Sequence, residues 1–372
     1  MIAPPEAEYE VTPGLGWPLF VEVDPRIGWP TVPRETLDWP ERATAQSMLS
    51  EPSVPSEPTA TTTASPAIEI PPGPRRARFD EDEFATPGAE DDPPALETKD
   101  RLPTTSLPVP ARTRIFVVAN QKGGVGKTTT CVNLAAALAL GGLTALVIDL
   151  DPQGNATTAL GVDHPPGTPG TYEVMMSGAA LANHVVDSPE APNLKVLPAT
   201  IDLAGAEIEL VSTVARESRL LRALRAYLKN HHADYVFLDC PPSLGLLTLN
   251  ALVAANEILV PIQCEYYALE GVTQLMRTID LVKGELNNEL RLSTVMLTMY
   301  DGRTKLAAQV AEEVRQHFPA ETLTTIIPRS VRISEAPSYG QTVLTYQPTS
   351  AGAVSYLEAA HEIARRGVEE ST

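Results

Sequence analysis

Short, largely apolar runs alternate with longer segments of helical periodicity from Arg112 to the end of the chain. The runs are rich in Val, Ile and Leu, and they are RIFVVAN, TALVIDL, LKVLPA, DYVFLDC, EILVPIQ, LSTVMLTM and LTTIIP. Strands that are apolar on both faces indicate a sheet covered on both sides. The segments between them, such as KTTTCVNLAAALALGG and RESRLLRALRAYLKNHH, have helix-like apolar spacing or glycines suited to a helix end. The alternation predicts an α/β fold with a mainly parallel, twisted sheet and helices on both faces.

Residues 1–111 have a different composition from the rest of the chain. The first 110 residues hold 21 of the 35 prolines, and residues 1–111 carry 20 acidic against 8 basic side chains. All three tryptophans also lie here, beside runs such as FDEDEFATPGAEDDPPALE. A segment of this kind cannot bury enough apolar surface to offset its conformational entropy. We therefore expect residues 1–111 to be a disordered extension and residues 112–372 to form the folded domain.

The cysteines and the hydropathy pattern exclude several classes of protein. Cys131, Cys240 and Cys264 are widely spaced and odd in number, which matches neither a disulfide framework nor a zinc-binding pattern. We expect each of them to be a small buried hydrophobic residue in a reduced compartment. Because no apolar run has the length of a membrane span and no signal peptide is evident, the sequence predicts a cytoplasmic protein without membrane insertion.

The stretch NQKGGVGKTTT, which follows the first predicted strand, has the features of a phosphate-binding loop. Its Gly-Lys-Thr matches the end of the P-loop pattern, whereas Gln121 stands where the pattern has its first glycine. Backbone N–H groups and a helix N-terminus favour phosphate binding at such a turn. We expect nucleotide contacts from the whole loop, namely Lys122, Gly123, Gly124, Val125, Gly126, Lys127, Thr128 and Thr129. Lys127 is the candidate for the β- and γ-phosphates, and the Thr128 hydroxyl is the candidate Mg²⁺ ligand.

Carboxylates that could serve this loop close two further predicted strands. Asp239 ends YVFLD, the usual position for an acidic group near Mg²⁺. Asp149 and Asp151 end VIDLD, and residues two apart in a strand share a face. We expect one of these two to orient or deprotonate the attacking water, and the other to cap the turn or lie beside the nucleotide. Thr128, Asp151 and Asp239 are the predicted metal neighbours.

Several blocks in order resemble one known family. KGGVGKTT, VIDLDPQGNAT, LAGAEIEL, FLDCPPSLGLLTLNAL, PIQCEYYALEG and IPRSVRISEAPSYGQ are similar to the ParA/Soj group of P-loop ATPases with a deviant Walker A motif. The resemblance extends from about Arg112 to the C-terminus. It implies an ATP- and Mg²⁺-dependent sandwich homodimer that binds double-stranded DNA without sequence preference. It also implies a nucleoid-associated protein whose hydrolysis is stimulated by a ParB-type centromere-binding partner.

The resemblance assigns a role to both lysines of the loop. Lys122 matches the family's signature lysine, which crosses the dimer interface to phosphate on the partner subunit, and Lys127 matches the lysine that holds the nucleotide. The resemblance further implies that Gly123 must be small for two loops to approach each other. Asp151 matches the residue used in hydrolysis, and Asp149 lies beside it. The implied catalytic residues are Lys122, Lys127 and Asp151.

Two further segments match the family at its base-binding and DNA-binding positions. Pro328 corresponds to a segment that packs on adenine, and Ser330 stands where members commonly have asparagine. Arg303 and Arg332 match arginines that contact DNA. The chain carries a net charge of −19, of which residues 1–111 supply −12. Local phosphate contacts decide non-specific DNA binding, so the net charge does not exclude it.

Other functions fit parts of the same pattern. A MinD-like membrane positioner would need a C-terminal amphipathic helix with basic and bulky apolar faces, which AGAVSYLEAAHEIARRGVEEST does not provide. An iron–sulfur reductase would need interface cysteines, and only Cys240 lies near the predicted site. The cargo could be a chromosome, a plasmid or a protein assembly. Three Trp-Pro pairs at Trp17, Trp29 and Trp39 predict an adaptor role for the N-terminal segment, with a polar scaffold protein as the candidate partner.

Overall fold

The computed structural model describes residues 22–23, 30–31, 106–265 and 270–369. Two short strands, β1 (Glu22–Val23) and β2 (Pro30–Thr31), pair with each other in antiparallel orientation. The remainder of the predicted extension up to residue 105, including its three tryptophans, lies outside the described residues. The disorder predicted for it therefore stays a prediction.

A sheet of eight strands forms the centre of the domain, in the order β10-β9-β8-β3-β7-β4-β6-β5. Its strands are β3 (Arg114–Val118), β4 (Ala145–Asp149), β5 (Val186–Asp187), β6 (Leu194–Leu197), β7 (Tyr235–Asp239), β8 (Glu257–Gln263), β9 (Arg291–Tyr300) and β10 (Thr322–Pro328). All neighbouring pairs are parallel except β5 with β6. The predicted α/β fold is confirmed. The strand β5 was not predicted, because its two exposed residues carry no apolar pattern.

Helices cover both faces of this sheet. They are α1 (Lys127–Leu140), α2 (Asn155–Ala159), α3 (Thr171–Met176), α4 (Leu203–Glu209), α5 (Arg219–Leu228), α6 (Leu246–Ala254), α7 (Glu270–Glu285), α8 (Lys305–His317), α9 (Val331–Glu335), α10 (Val343–Tyr346) and α11 (Ala351–Glu369). One core holds Val117 and Val236 with α3 to α8, and the other holds Phe116 and Phe237 with α1, α2, α10 and α11. Successive strand residues therefore point into opposite cores, as a sheet buried on both sides requires.

The last helix closes the edge of the sheet at β10. The Glu362 carboxylate on α11 accepts hydrogen bonds from the backbone N–H groups of Thr324 and Thr325, at 2.9 and 3.1 Å. Tyr356 and Ile363 of the same helix are buried in the second core. The edge strand is thus covered by the chain itself, which protects it from pairing with other strands. Among the described helices, none is both long enough and apolar enough to cross a membrane.

The packed chain extends back into the predicted N-terminal segment as far as Leu107. This side chain is 4% exposed, and its backbone N–H donates a 3.0 Å hydrogen bond to the carbonyl oxygen of Gly141. Gly141 follows α1, and a Cβ atom on it would lie 2.3 Å from the Leu107 Cδ1 atom. The close approach of Leu107 therefore uses the missing side chain of a glycine at a helix end.

A buried ion pair joins the first strand of the domain to β8 and α11. The Arg114 guanidinium donates to both carboxylate oxygens of Glu257, at 2.7 and 2.5 Å, and to the carbonyl oxygen of Ile363 at 2.8 Å. Both side chains are at most 4% exposed. Burial raises the pKa of Glu257, but the hydrogen bonds and charge of Arg114 outweigh it and leave the pKa lowered. The charged pair is thereby stable inside the protein.

We predict that Glu257→Gln destabilises the domain, because it removes the carboxylate charge that faces the buried Arg114 guanidinium. Removing one partner of a buried pair typically costs about 3–5 kcal/mol in the free energy of unfolding. Urea unfolding followed by circular dichroism measures this loss. Lys195→Gln, which breaks a surface pair with the 82% exposed Asp187, is the matched control and should change the midpoint little. Equal losses in the two variants would contradict the assignment.

Candidate functional site

The phosphate loop connects β3 to α1 and has the backbone conformation that its glycines allow. Gly124 and Gly126 have φ angles of +74° and +88°, in the left-handed region that favours glycine. Gly123 has no such angle, and a Cβ atom on it would meet nothing within 4 Å. Val125 is buried, and its carbonyl oxygen accepts a 2.9 Å hydrogen bond from the Thr298 hydroxyl at the end of β9. The loop is thus fixed from the neighbouring part of the sheet.

Lys127 begins α1 and lies almost entirely inside the protein, with 8% of its surface exposed. Burial lowers the pKa of its ammonium group, while the nearby carboxylates of Asp239 and Asp151 oppose that effect. Its Nζ atom donates a long, 3.5 Å hydrogen bond to the carbonyl oxygen of Lys122. The ammonium group is therefore directed into the loop, where the sequence places the phosphates.

Asp149 and Asp239 end two adjacent parallel strands at the same level. They are register partners on β4 and β7, and Val118 at the end of β3 is the partner of Asp239 on the other side. Asp239 is fully buried, and its Oδ2 atom accepts a 2.8 Å hydrogen bond from the Thr128 hydroxyl. Burial and the charge of Asp149 raise the pKa of Asp239 well above its usual value. The strand register thus brings both carboxylates to the start of α1.

Asp149 organises the loop that follows β4. Its Oδ1 atom accepts from the Asp151 N–H at 3.0 Å, and its Oδ2 atom accepts from the N–H and hydroxyl of Thr157 at 2.9 and 2.7 Å. Burial raises the pKa of Asp149 to about 6, against the lowering effect of the Thr157 hydrogen bonds. Both oxygens are used within the chain, so the geometry gives Asp149 a positioning role for the Asp151 segment.

Asp151 lies in a turn, because β4 ends at Asp149. Strand alternation therefore does not extend to Asp151. Instead, the Asp151 backbone N–H donates a hydrogen bond to Asp149, and both carboxylates lie near Asp239. The Asp151 side chain is partly exposed and accepts a 3.0 Å hydrogen bond from the Gln153 N–H. It is close enough to contribute to the raised pKa of Asp239. The structure thus keeps Asp151 at the site and leaves its carboxylate accessible.

The oxygen atoms at this point fit a magnesium ion. Asp239 Oδ1 is buried and has no hydrogen-bond partner among the described residues, and Thr128 contributes a hydroxyl beside it. Magnesium prefers oxygen ligands and is commonly held by one or two carboxylates together with phosphate. A buried carboxylate oxygen without a partner is costly, which a cation would relieve. Thr128 and Asp239 are the residues that would hold the ion.

A cavity of about 180 Å³ next to the phosphate loop contains the predicted base-binding residues. Thr129, Pro328 and Ser330 all line it. Met299 and Tyr356 also line it and were not predicted from the sequence. Met299 has a φ angle of +51°, a conformation that few residues other than glycine adopt. The one sequence signal for Met299 is its position directly after the buried part of β9.

Lys122 is held by a carboxylate of its own chain. Its Nζ atom lies 3.6 Å from Glu265, which also pairs with Arg329 at 3.0 Å and accepts a 2.6 Å hydrogen bond from Gln263. The Lys122 side chain remains 31% exposed. Glu265 was not predicted as a site residue, although it lies two residues beyond the end of β8, at the edge of the sheet where Asp239 ends β7. The lysine therefore lies at the surface of the site, where Glu265 is its carboxylate partner.

Arg303 and Arg332 follow neighbouring strands, β9 and β10. Pro328 and Tyr300 are register partners there, so the two following segments leave the sheet side by side. Arg303 is 83% exposed and pairs with Asp301 at 3.0 Å, and Arg332 pairs with Glu335 at 3.0 Å. Ion pairs this exposed contribute little, so both guanidinium groups can exchange partners for phosphate.

Comparison with known proteins supports one family. A family model described as an AAA domain matches residues 113–292. The sporulation initiation inhibitor protein Soj of Bacillus subtilis is 51% identical over 254 residues, which is 68% of this chain and 99% of Soj. The chromosome partitioning protein ParA of Caulobacter vibrioides is 50% identical over 253 residues, covering 68% of this chain and 94% of that protein.

A solved structure shares the same fold. The cobyrinic acid a,c-diamide synthase of Mycobacterium smegmatis, solved with bound ADP and magnesium, is 40% identical with a TM-score of 0.59. The match covers 68% of this chain and 95% of that one. Together with the phosphate loop and the two strand-end carboxylates, the near-complete coverage of Soj and ParA at about half identity places this chain in the ParA/Soj family of chromosome-partitioning ATPases.

Proposed function

We propose that this protein is an ATPase that pairs on binding ATP, binds DNA without sequence preference, and releases it on hydrolysis to segregate DNA. The observation that carries this proposal is the group formed by the buried Lys127, Thr128 and the unpartnered oxygen of Asp239 beneath the phosphate loop. A cation and an anion-binding loop at the carboxyl ends of parallel strands suit a nucleoside triphosphate with magnesium. The bound ADP and magnesium of the solved relative support the same ligands.

The chain's own groups account for nucleotide binding. The loop N–H groups and the N-terminus of α1 bind the phosphate oxygens, and Lys127 places its charge on the β- and γ-phosphates. Its burial keeps the ammonium group aimed at the loop instead of at solvent. Magnesium, when bound, neutralises charge on the phosphates. The cavity beside Thr129, Pro328 and Ser330 receives the base.

Hydrolysis requires a water molecule held in line with the γ-phosphate. Asp151 has an accessible carboxylate at the site, and its backbone N–H is held by a hydrogen bond to the Asp149 carboxylate. Asp151 orients the attacking water and accepts its proton. The water oxygen bonds to the γ-phosphorus, the bond from that phosphorus to the bridging oxygen breaks, and ADP leaves with that electron pair while inorganic phosphate forms. The raised pKa of Asp149 follows from its burial and belongs to its positioning role.

Lys122 links hydrolysis to pairing. In the single chain, the Lys122 side chain pairs with the Glu265 carboxylate. On pairing, it exchanges Glu265 for phosphate on the partner subunit, where a cation stabilises the charge of phosphoryl transfer. Because Glu265 is about half exposed, this exchange is inexpensive. Two ATP-loaded subunits would thus complete each other's sites.

Pairing also doubles the arginines available for DNA. Arg303 and Arg332 lie after adjacent strands, so a dimer presents two such sets and gains affinity through multivalency. Phosphate contacts of this kind carry no base information, which fits binding without sequence preference. A ParB-type partner that stimulates hydrolysis then returns the chain to the DNA-free form. A protein that binds and releases chromosomal DNA in this way would be cytoplasmic and associated with the nucleoid.

We predict that Asp151→Ala retains ATP binding and dimerisation but loses hydrolysis by about 100-fold or more, because the attacking water is no longer held. Lys127→Ala should lose ATP binding itself. Phosphate release and binding of a fluorescent ATP analogue separate the two effects. Asp187→Ala, which removes an exposed carboxylate on β5, is the control. Normal turnover in Asp151→Ala would remove this residue from the proposed chemistry.

We predict that Gly123→Val abolishes ATP-dependent pairing while the single chain folds and binds ATP. The position has room for a Cβ atom and a φ angle that any residue adopts, so the substitution strains nothing in one chain. Light scattering with and without ATP measures the dimer. Gly284→Val, at a second glycine with open space around its Cβ position, is the control. A Gly123→Val dimer as stable as the wild type would contradict the close approach of two loops.

We predict that Arg303→Glu and Arg332→Glu each weaken DNA binding about equally for all sequences. Each change should reduce the dependence of log Kd on log salt concentration by about one phosphate contact. Fluorescence anisotropy with two unrelated duplexes at several salt concentrations tests this. The control is Arg365→Glu, an exposed arginine on α11. An unchanged salt dependence in both variants would exclude these arginines from the DNA contact.

A further inference from the structure

A basic hollow lies between α3 and α5, on the face of the sheet opposite α1. It has a volume of about 580 Å³, and residues of the 3-10 turn Leu181–Asn183 form part of its lining. Val174, Leu181 and Tyr227 form apolar walls, and Arg219, Arg222 and His231 supply its charged and polar groups. None of the described residues that line this α3–α5 hollow is acidic, although the whole chain carries 47 acidic residues against 28 basic ones.

The two arginines of the hollow differ in how they are held. Arg219 donates through one nitrogen to the carbonyl oxygens of Met175 and Met176 at the end of α3, which fixes its guanidinium in place. Its Nε atom is buried and has no hydrogen-bond partner among the described residues. Arg222 is exposed and makes only long, 3.4 Å contacts with the carbonyl oxygens of Ser218 and Ala215. Arg222 therefore retains accessible donors for an anionic ligand, and Arg219 contributes a fixed positive charge beside it.

The rest of α5 extends this basic character. The segment from Arg219 to His232 contains no acidic residue, and Arg225 and Lys229 are exposed on it. Within the described part of the chain, no salt bridge involves Arg219, Arg222, Arg225 or Lys229. By contrast, the exposed Arg303, Arg329 and Arg332 each pair with a carboxylate. In an acidic protein, α5 therefore carries a concentration of positive charge that its own fold does not neutralise.

The N-terminal segment enters the domain beside the C-terminal end of α5. Thr113 donates a 2.7 Å hydrogen bond to the carbonyl oxygen of Ala233, and the Arg114 N–H donates to Asp234 at 2.9 Å. Asn230 and His231, which line the hollow, lie three and two residues before Ala233. Leu107 is bound to Gly141, and the neighbouring Thr144 N–H donates to the Asp234 carboxylate at 2.7 Å. Leu107 itself lies in the core on the α1 side, so the chain that precedes it starts at the same edge of the sheet as Ala233 and reaches the hollow by passing around that edge.

We propose that the α3–α5 hollow binds the acidic stretch Glu90–Glu97 of the same chain. This stretch, EDDPPALE, has four acidic residues, no basic one, and Leu96 for the apolar walls. The nine residues from Glu97 to Ser106 can span about 30 Å when extended, which gives the stretch the reach to pass around the edge of the sheet. In this proposal, the carboxylates of Asp91 and Asp92 pair with Arg222, and the positive charge of Arg219 in the same lining attracts them. Attachment to the same chain gives this contact a high effective concentration.

Disulfide trapping in the full-length chain tests the contact. Ala226 is exposed and lines the hollow, so Ala226→Cys combined with Ala95→Cys should form a disulfide under mild oxidation. The three native cysteines are buried and should not compete. We expect a yield at least about tenfold above that of Ala95→Cys with Ala308→Cys, an exposed position on α8, and the same yield after about hundredfold dilution. Mass spectrometry of the linked peptides identifies the bond.

Charge reversal separates docking from random collision. Arg222→Glu should lower the yield about fivefold or more, whereas Arg225→Glu, on the same helix but outside the hollow, should have little effect. Adding Asp91→Lys and Asp92→Lys to Arg222→Glu should restore the yield. Equal yields at Ala226 and Ala308, a yield that falls on dilution, or insensitivity to Arg222→Glu would each overturn the proposal. These outcomes are independent of ATP binding and of the proposed nucleotide chemistry.

Discussion

A carboxylate buried at the end of a central strand determines the arrangement of the site. Asp239 is fully buried, with one oxygen bonded to Thr128 and the other without a partner among the described residues. A buried carboxylate of this kind is costly unless a positive charge is close. Lys127, itself buried, supplies part of that charge, and a nucleotide-bound cation would supply the rest. The site therefore combines a buried carboxylate and a buried ammonium group, each of which is unfavourable alone and stabilised by the other.

The parallel sheet makes this combination possible. Because β3, β4 and β7 are adjacent and in register, the start of the phosphate loop and the carboxylates of Asp149 and Asp239 meet at one edge. Burial on both faces fixes that register, since a slip of one residue would exchange the two cores. Thr298 then ties the loop to β9 through the carbonyl oxygen of Val125. Distant parts of the chain thus hold one rigid loop in position for the chemistry.

Charges outside the loop are arranged in two contrasting ways. Near the nucleotide edge, Lys122, Arg303 and Arg332 all lie against carboxylates of the same chain. These pairs are exposed, so a phosphate can replace the carboxylate at little cost. On α5 the basic residues have no such partner among the described residues, and the adjoining hollow has no acidic lining. The first arrangement suits reversible contacts between molecules, and the second suits a segment that supplies its own carboxylates.

Local pattern was sufficient for much of the fold. Seven apolar runs predicted seven strands of the large sheet, and the glycine-rich turn after the first one predicted the start of α1 near Lys127. Both depend on residues close in sequence, because burial on two faces and positive φ angles leave a direct trace in composition. The placement of Asp239 at the carboxyl end of a strand followed from the same pattern, since parallel strands end at one edge.

Tertiary structure decided which groups meet. The sequence could not distinguish the roles of Asp149 and Asp151, and strand alternation does not extend to Asp151 because β4 ends at Asp149. Lys122 and Glu265 pair although they are 143 positions apart in the sequence. Met299 has a left-handed backbone conformation, which the sequence does not indicate because the residue is not a glycine. Residue types and local periodicity determined the strands, helices and phosphate loop of this protein. Side-chain partners were settled only by the folded chain, because hydrogen bonds and ion pairs depend on distances that sequence separation does not encode.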